Sequence, residues 1–145
     1  MNRFNKLVVI LFLCLVCFNC SEDETIKLTE NNYLIFGHFY GFCHGEECIQ
    51  TFKLTSTKLY KDIADDYSHE TFDFKELSKE KFKSVNDLTQ FLPVELLAET
   101  KTFIGCPDCA DQGGLYLEIK KDDVIRFWDL DNDNNSLPTY LHAYA

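Results

Sequence analysis

Two close pairs of cysteines are the residues of this sequence whose types and spacing most directly suggest chemistry. Cys43 and Cys48 are separated by four residues, and Cys106 and Cys109 by two. Both spacings suit a structural zinc site, because each pair can present two thiolates to one tetrahedral ion. Outside the cytoplasm thiols tend to oxidise, so the sequence favours disulfides over zinc at these positions.

Three disulfide pairings are possible, and they differ in how much they stabilise the fold. In the chain-entropy model, closing the short loop between Cys43 and Cys48 contributes about 2 kcal/mol, whereas joining Cys43 to Cys106 contributes about 4 kcal/mol. The longer link would also join two distant parts of the chain. The sequence leaves the choice between the pairings open.

Two histidines near the first pair are additional candidates for metal ligands. His44 follows Cys43 directly, and His38 lies five residues before it. Either imidazole can replace one sulfur of a zinc site. His38 stands among aromatic residues, however, and a histidine on such a strand is more often a hydrogen-bonded core or edge residue.

Three alternating aspartates have the spacing of the first ligands in an EF-hand calcium loop: Asp129, Asp131 and Asp133. Such a loop needs a bidentate glutamate at its twelfth position, where this chain has Tyr140. No pair of flanking helices is predicted. The pattern therefore favours a solvated turn before Pro138 over a calcium site.

Catalytic signatures are weak in this chain. The spacing of Cys106 and Cys109 also occurs in thioredoxin-like redox sites, where the cysteines begin a long helix. Here Gly113 and Gly114 follow almost at once, which argues against such a helix. No serine, cysteine or carboxylate stands in a local nucleophile pattern. We therefore predict no catalytic residue and favour a binding or structural role over an enzyme.

The first 19 residues have the organisation of a signal peptide. Arg3 and Lys6 precede an uninterrupted apolar run at residues 7–18. Twelve helical residues span only about 18 Å, whereas the hydrocarbon core of a bilayer is about 30 Å thick. The run is therefore predicted to direct export rather than to span the membrane.

The residues after the apolar run resemble a bacterial lipobox. In the sequence CFNC, residues 17–20, the thiol of Cys20 is the expected site of acylation by palmitate-type chains, and two or more chains hold a protein on a membrane. The acidic SEDE that follows is similar to the surface-export signal of Bacteroidota lipoproteins. We therefore expect an outer-membrane lipoprotein of the cell envelope, exposed at the surface or facing the periplasm. Secretion with a cleaved leader and retention by an uncleaved anchor are the alternatives.

The charge of the chain restricts its partners. The sequence has 14 basic and 24 acidic residues, a net charge of −10. Removing residues 1–19 takes away two basic and no acidic residues, so the mature charge becomes 12 − 24 = −12. A field of that sign repels phosphates and anionic headgroups, so we expect no nucleic-acid binding and no membrane contact beyond the lipid. Cationic proteins or metal ions are favoured as partners, and plain solubility is the simpler explanation of the charge.

The pattern of the chain predicts one domain behind the leader. Residues 1–19 form the leader, residues 20–32 an acidic tether, and residues 33–145 the domain. Aromatic and β-branched residues dominate 33–42 and 48–57, which flank a glycine-containing loop and predict a hairpin.

A second hairpin is predicted from residues 115–119, where Leu115, Leu117 and Ile119 alternate on one face, and residues 124–130, with a turn at 121–123 between them. Shorter strands are expected at 58–63, 71–77 and 101–105. Strands that follow one another in hairpins indicate an antiparallel sheet.

The middle of the chain is predicted to be helical. Ser84 and Asp87 resemble a capping box, and apolar residues with helical spacing follow up to Leu92. Pro93 ends that helix and begins a second short one. The fold class predicted from these elements is α+β, with an antiparallel sheet built from hairpins and one or two short helices in a single domain.

Three segments resemble a family of small uncharacterised lipoproteins from Bacteroidota: FGHFYGFCHGEECIQTFKLTSTKLYKD at residues 36–62, FLPVELL at 91–97 and GCPDCADQGGLYLEIKKDDVIRFW at 105–128. The resemblance covers most of the predicted domain. It implies a location in the cell envelope and a single small domain. It implies no activity, so no functional residue follows from it.

These features together predict a membrane-anchored extracytoplasmic lipoprotein that acts as a binding or structural module. One alternative is an inhibitor or immunity protein that neutralises a cationic hydrolase such as lysozyme, because the negative charge would steer that encounter. The other alternative is a zinc-binding protein that uses the four cysteines. No cofactor is expected in the first two cases.

Overall fold

The computed structural model describes residues 26–45 and 47–143. The predicted signal peptide at 1–19, the predicted lipid attachment residue Cys20 and the first part of the tether lie outside the described residues. Within the described ranges, no helix has the length and apolar character needed to cross a bilayer.

One seven-stranded sheet forms the centre of the domain. The strands in chain order are β1 Tyr33–Phe39, β2 Ile49–Leu54, β3 Leu59–Asp62, β4 Phe74–Glu76, β5 Phe103–Ile104, β6 Gly114–Lys121 and β7 Val124–Asp131. Their order across the sheet is β4-β3-β2-β1-β6-β7-β5. Both predicted hairpins are present, since β1 pairs antiparallel with β2 and β6 pairs antiparallel with β7.

The sheet is mixed, so the prediction of a purely antiparallel sheet was wrong. Strand β5 runs parallel to β7, with Phe103 beside Asp129. The chain reverses direction through residues 105–113, so β5 and β6 run in opposite directions, and β7 lies between them. Because β7 is also antiparallel to β6, it runs parallel to β5.

The first predicted helix is shorter than expected and begins at a different residue, whereas the second follows Pro93 as predicted. Helix α1 spans Lys79–Lys83, and its N-cap is Ser78, whose side chain accepts a hydrogen bond from the Lys81 amide. Ser84 ends this helix instead of beginning one. A 3-10 turn at Leu88–Phe91 and a five-residue helix, α2 Val94–Ala98, follow, the latter directly after Pro93. The single domain is therefore mostly sheet.

The main core lies on one side of the sheet, which we call the inner face. Leu34 of β1, Leu117 of β6 and Trp128 of β7 are almost completely buried there. Residues 77–97 and 137–141 pack over this face. Arg126 of β7 donates to the carbonyl oxygens of Leu97 and Glu99 and so joins the covering segment to the sheet.

The opposite side, which we call the outer face, carries a smaller core. Ile35 and Phe39 of β1 and Tyr116 of β6 are buried there. The aromatic ring of Phe72, from the segment between β3 and β4, packs against them. Toward β7 this face is open, and the Phe127 side chain is 41% exposed.

Candidate functional site

Three loops gather at one end of the sheet. They comprise residues 40–48 between β1 and β2, residues 63–73 between β3 and β4, and residues 105–113 between β5 and β6. Antiparallel pairing places these connections at the same edge, because β1 ends where β2 and β6 begin. We call this region the loop end. Position 46 within it lies outside the described residues.

A single carboxylate connects the three loops. Asp108 Oδ2 accepts hydrogen bonds from the Gly41 amide at 2.8 Å and the Tyr67 hydroxyl at 2.9 Å. Asp108 Oδ1 accepts from the Gly113 amide at 2.8 Å. Burial acts to raise the pKa of Asp108, but the hydrogen bonds from Gly113, Tyr67 and Gly41 outweigh it and lower that pKa. The loops are therefore fixed relative to one another around an ionised side chain.

The four cysteines form two local disulfides, each within one loop. Cys43 pairs with Cys48, with a Cα–Cα distance of 5.6 Å, and Cys106 pairs with Cys109 at 5.5 Å. The expectation of disulfides is supported, and of the three pairings left open the structure has the local one. With their sulfurs joined in pairs, these residues offer no thiolate to a zinc ion in this structure.

The histidine candidates are not brought together. The His38 side chain lies on the inner face, where Nε2 is 3.1 Å from the Glu47 carbonyl oxygen. His44 is exposed in the first loop. Across the described part of the chain, no group of three or more histidine, cysteine, aspartate or glutamate side chains is arranged to hold a metal ion.

The three alternating aspartates have separate roles. Asp131 accepts hydrogen bonds from the Cys106 amide at 2.8 Å and the Asp133 amide at 2.9 Å. Asp133 accepts from the Asn135 amide at 3.0 Å and caps a 3-10 turn. Asp129 lies on the outer face, and its Oδ1 atom is buried without a hydrogen-bond partner among the described residues. Asp131 and Asp133 therefore fix the backbone around the end of β7, and the three carboxylates do not converge on one ion.

The loop end is strongly acidic. Residues 40–48 contain two acidic side chains, residues 63–73 contain four and residues 105–113 contain two, which makes eight carboxylates without a lysine or arginine. Exposed aromatic side chains lie among them: Phe42 is 84% exposed, Tyr67 48% and Tyr40 38%. An acidic surface with apolar rings suits a partner that is basic and has apolar contact area.

The middle loop packs down onto the outer face through His69. Its ring stacks on Tyr116 at 3.9 Å between centroids with an interplanar angle of 8°. The Tyr116 hydroxyl donates to the buried Glu118 carboxylate at 2.8 Å. Burial lowers the pKa of His69, so the imidazole is held in its neutral form near pH 7. This stack holds the loop at residues 63–73 against the outer face of the sheet.

The sequence does not identify Asp108 or Tyr67 as site residues and assigns no role to His69. Asp108 stands between two cysteines, and Tyr67 and His69 lie in a segment without a strand or helix pattern. Their partners are far away in sequence, since Tyr67 and Asp108 are 41 residues apart. The available signal was the clustering of aspartates with aromatic residues in segments that have no strand or helix pattern.

The described chain begins at the end of the sheet opposite to the loop end. Glu30 accepts a 2.7 Å hydrogen bond from the Thr57 hydroxyl in the turn between β2 and β3. Asn32 accepts a hydrogen bond from the Asp122 amide in the turn between β6 and β7. Both turns lie about 20 Å from the loop end, the length of a seven-residue strand such as β1.

Comparison with known proteins adds no family to this geometry. No protein-family model matches the chain, and no similar protein was found among the curated ones. The resemblance to Bacteroidota lipoproteins therefore stays a prediction.

Proposed function

We propose that this chain is a membrane-anchored lipoprotein of the cell envelope, attached through Cys20, whose domain binds a cationic protein through the loop end. The observation that carries the proposal is the grouping of seven carboxylates among the described residues of the three loops, with no lysine or arginine, beside exposed aromatic rings. A surface of one sign increases the rate of encounter with a partner of the opposite sign.

The loop end also has the rigidity that tight binding requires. The Cys43–Cys48 disulfide restrains the loop that carries Phe42, and Asp108 holds Gly41 to the neighbouring loops. A surface that is ordered before it meets its partner loses less conformational entropy on binding. Phe42 is the natural anchor residue, because interface energy concentrates in a few large side chains.

The position of the tether supports the same function. The chain enters the domain at the end where Glu30 contacts Thr57, opposite to the loop end. A lipid on Cys20 would hold that end toward the membrane. The loop end would then face away from the membrane, where a soluble protein can reach it.

The Phe42 side chain is 84% exposed on a loop closed by the Cys43–Cys48 disulfide, so it can enter a cleft on a partner. Among cationic proteins, hydrolases such as lysozyme have such a cleft at their substrate site. Inhibition of a cationic hydrolase is therefore the specific form of binding that we propose to test first.

Binding of the mature domain to a basic lysozyme at low and high salt tests the loop-end surface. We expect binding at 20 mM salt that weakens strongly at 300 mM, as expected for association between opposite charges. The double variant Glu47→Gln/Glu70→Gln, with two exposed loop-end carboxylates removed, should bind several-fold more weakly. The matched control Asp87→Asn/Glu95→Gln removes two exposed carboxylates elsewhere and should bind like the wild type. Equal weakening in both variants, or no binding at low salt, would contradict the proposal.

Labelled palmitate tests the anchor independently of the partner. We expect the label to enter the wild-type protein and not a Cys20→Ser variant, which should leave the membrane fraction. Label in both proteins, or in neither, would contradict attachment at Cys20.

A further inference from the structure

The inner face contains an apolar cleft of about 340 Å³. Its floor is formed by neighbouring side chains of three strands, among them Phe36 of β1, Phe52 of β2 and Leu117 of β6. Phe36 and Phe52 stack with their ring centroids 5.7 Å apart. Val85 and Leu88 of the covering segment form the opposite wall. A volume of this size lies in the range of small-molecule sites, which is about 300–1,000 Å³.

The cleft exists because the covering segment does not complete the core. Neither α1 nor the 3-10 turn at Leu88–Phe91 contains a buried residue. Protein interiors are normally packed as densely as organic crystals, and wall atoms beside an empty space lose dispersion contacts. An apolar occupant would restore those contacts, and large apolar cavities are known to take up apolar molecules in place of water.

One end of the cleft is polar. His38 and Gln50 lie opposite each other on β1 and β2, and both line the cleft. His38 Nε2 is already close to the Glu47 carbonyl oxygen. The Gln50 side-chain amide is half-buried, and no hydrogen bond to it is found in the described ranges. A ligand with a polar head can therefore hydrogen-bond to Gln50 while its apolar part lies between Phe52 and Leu88.

The charge of the polar head decides which of these ligands fits the cleft. The lining contains no aspartate, glutamate, lysine or arginine, although the whole protein has a net charge of −10. An anionic head would be repelled by the surrounding field, and a cationic head would find no carboxylate in the cleft to pair with. A neutral head that can donate and accept a hydrogen bond fits both conditions.

We propose that this cleft binds a neutral amphiphile with a single hydrocarbon chain, with the chain between the sheet and Val85 and the hydroxyl or amide head at Gln50. The site is separate from the loop end, and it does not depend on the binding of a cationic protein. The ligand class follows from apolar walls, one uncommitted amide and a lining without aspartate, glutamate, lysine or arginine.

Titration of the mature domain with 1-decanol, followed by NMR, tests this site. We expect saturable binding with intermolecular contacts from the decanol chain to the Leu88 and Leu117 methyl groups and from its first carbon to the Gln50 amide. Decanoate at pH 8 should bind at least tenfold more weakly than decanol. Contacts confined to other surfaces, or tighter binding of decanoate, would overturn the proposal.

Two variants and one control make the result specific to the cleft. Val85→Trp should fill the cleft and weaken decanol binding at least tenfold, whereas Val94→Trp, at a position 52% exposed outside the lining, should leave it unchanged. Gln50→Leu preserves the approximate volume and should weaken binding about fivefold, the size of one hydrogen bond, so it keeps the test valid if Val85→Trp does not fold. Wild-type affinity in Gln50→Leu would refute the assigned position of the head.

Discussion

Asp108 accepts one hydrogen bond from each of the three loops at the loop end. Its backbone has a φ of 56°, in the left-handed region that aspartate tolerates better than most residues. Asp111, in the same loop, has nearly the same φ of 57°. The two aspartates therefore differ mainly in what their side chains contact, and this makes them a matched pair for mutation.

Replacement of Asp108 should loosen the loop end. In Asp108→Asn an amide group replaces one acceptor oxygen, so one of the hydrogen bonds to Asp108 is lost. Because the Gly41 and Tyr67 donors are exposed and can turn to water, we expect a loss of about 1 kcal/mol in the free energy of unfolding. Asp111→Asn should change it little. Urea denaturation of both variants measures the difference. Equal stability of the two variants would show that the Asp108 hydrogen bonds are not needed.

The lowered pKa of Asp108 adds a pH dependence to this comparison. A carboxyl group whose pKa is lower in the folded state stabilises the fold above its unfolded pKa and loses that contribution as the pH falls. The gap in stability between the wild type and Asp108→Asn should therefore narrow in acid. A gap that is the same at pH 7 and pH 3 would contradict this assignment.

The contribution of Asp129 to stability should depend on pH in the opposite direction to that of Asp108. Burial raises its pKa to about 6, and its Oδ1 atom has no hydrogen-bond partner among the described residues. Between about pH 4 and pH 6 the folded state keeps a proton that the unfolded state has lost, so this group's contribution to stability decreases as the pH rises. Asp129→Asn should therefore gain stability relative to the wild type across that window.

Thermal or urea unfolding at several pH values measures the effect at Asp129. Asp87→Asn, at an exposed position, controls for the loss of a negative charge alone. A stability difference between Asp129→Asn and the wild type that does not change from pH 4 to pH 7 would rule out a raised pKa at this residue.

At the scale of the element, the disulfides act within loops rather than between them. The Cys43–Cys48 link spans a sequence separation of 5 and the Cys106–Cys109 link one of 3. In the chain-entropy model, loops this short contribute only about 2 kcal/mol each. Asp108, which joins different loops, is therefore as important for the shape of the loop end as either disulfide.

Serine replacement of each cysteine pair tests whether each disulfide stabilises only its own loop. The variants Cys43→Ser/Cys48→Ser and Cys106→Ser/Cys109→Ser should each lose about 2 kcal/mol and still fold. Mass analysis of a non-reduced digest should show peptides linked within each pair. A peptide that links Cys43 to Cys106 would disprove the local pairing.

The elements that the sequence predicted well are those with strong local patterns. Alternation at residues 115–119, with a turn and a second aromatic and β-branched segment after it, predicts the β6–β7 hairpin that the structure has. Ser84 was misassigned because two serines, Ser78 and Ser84, flank a short helix, and only the structure shows that Ser78 caps it. The direction of β5 was not visible either, because a two-residue strand has no pattern that identifies its neighbour.

For the candidate site, residue types were more predictable than their arrangement. The cysteines and the acidic character were evident in the sequence. The link from Asp108 to Tyr67 was not, because it depends on the packing of three loops that no local pattern connects. At Asp131 and Asp133 the sequence favours a turn over a calcium site, and their carboxylates hold nearby backbone amides.

At the scale of the whole molecule, charge is distributed unevenly along the sheet. The loop end has no lysine or arginine, whereas the opposite turns contain Lys58 and Lys121. Glu30 and Asn32 connect the entering chain to that opposite end. An anchored protein of this form would present its acidic, aromatic end to solution, while the apolar cleft opens separately on the inner face.

Amide hydrogen exchange of the mature domain, alone and in complex with a basic lysozyme, locates the surface that the partner covers. We expect slower exchange on binding in residues 40–48, 63–73 and 105–113. The turns at 55–58 and 121–123, at the other end of the sheet, should exchange at unchanged rates. Protection of those turns, with the loop end unaffected, would contradict binding through the loop end.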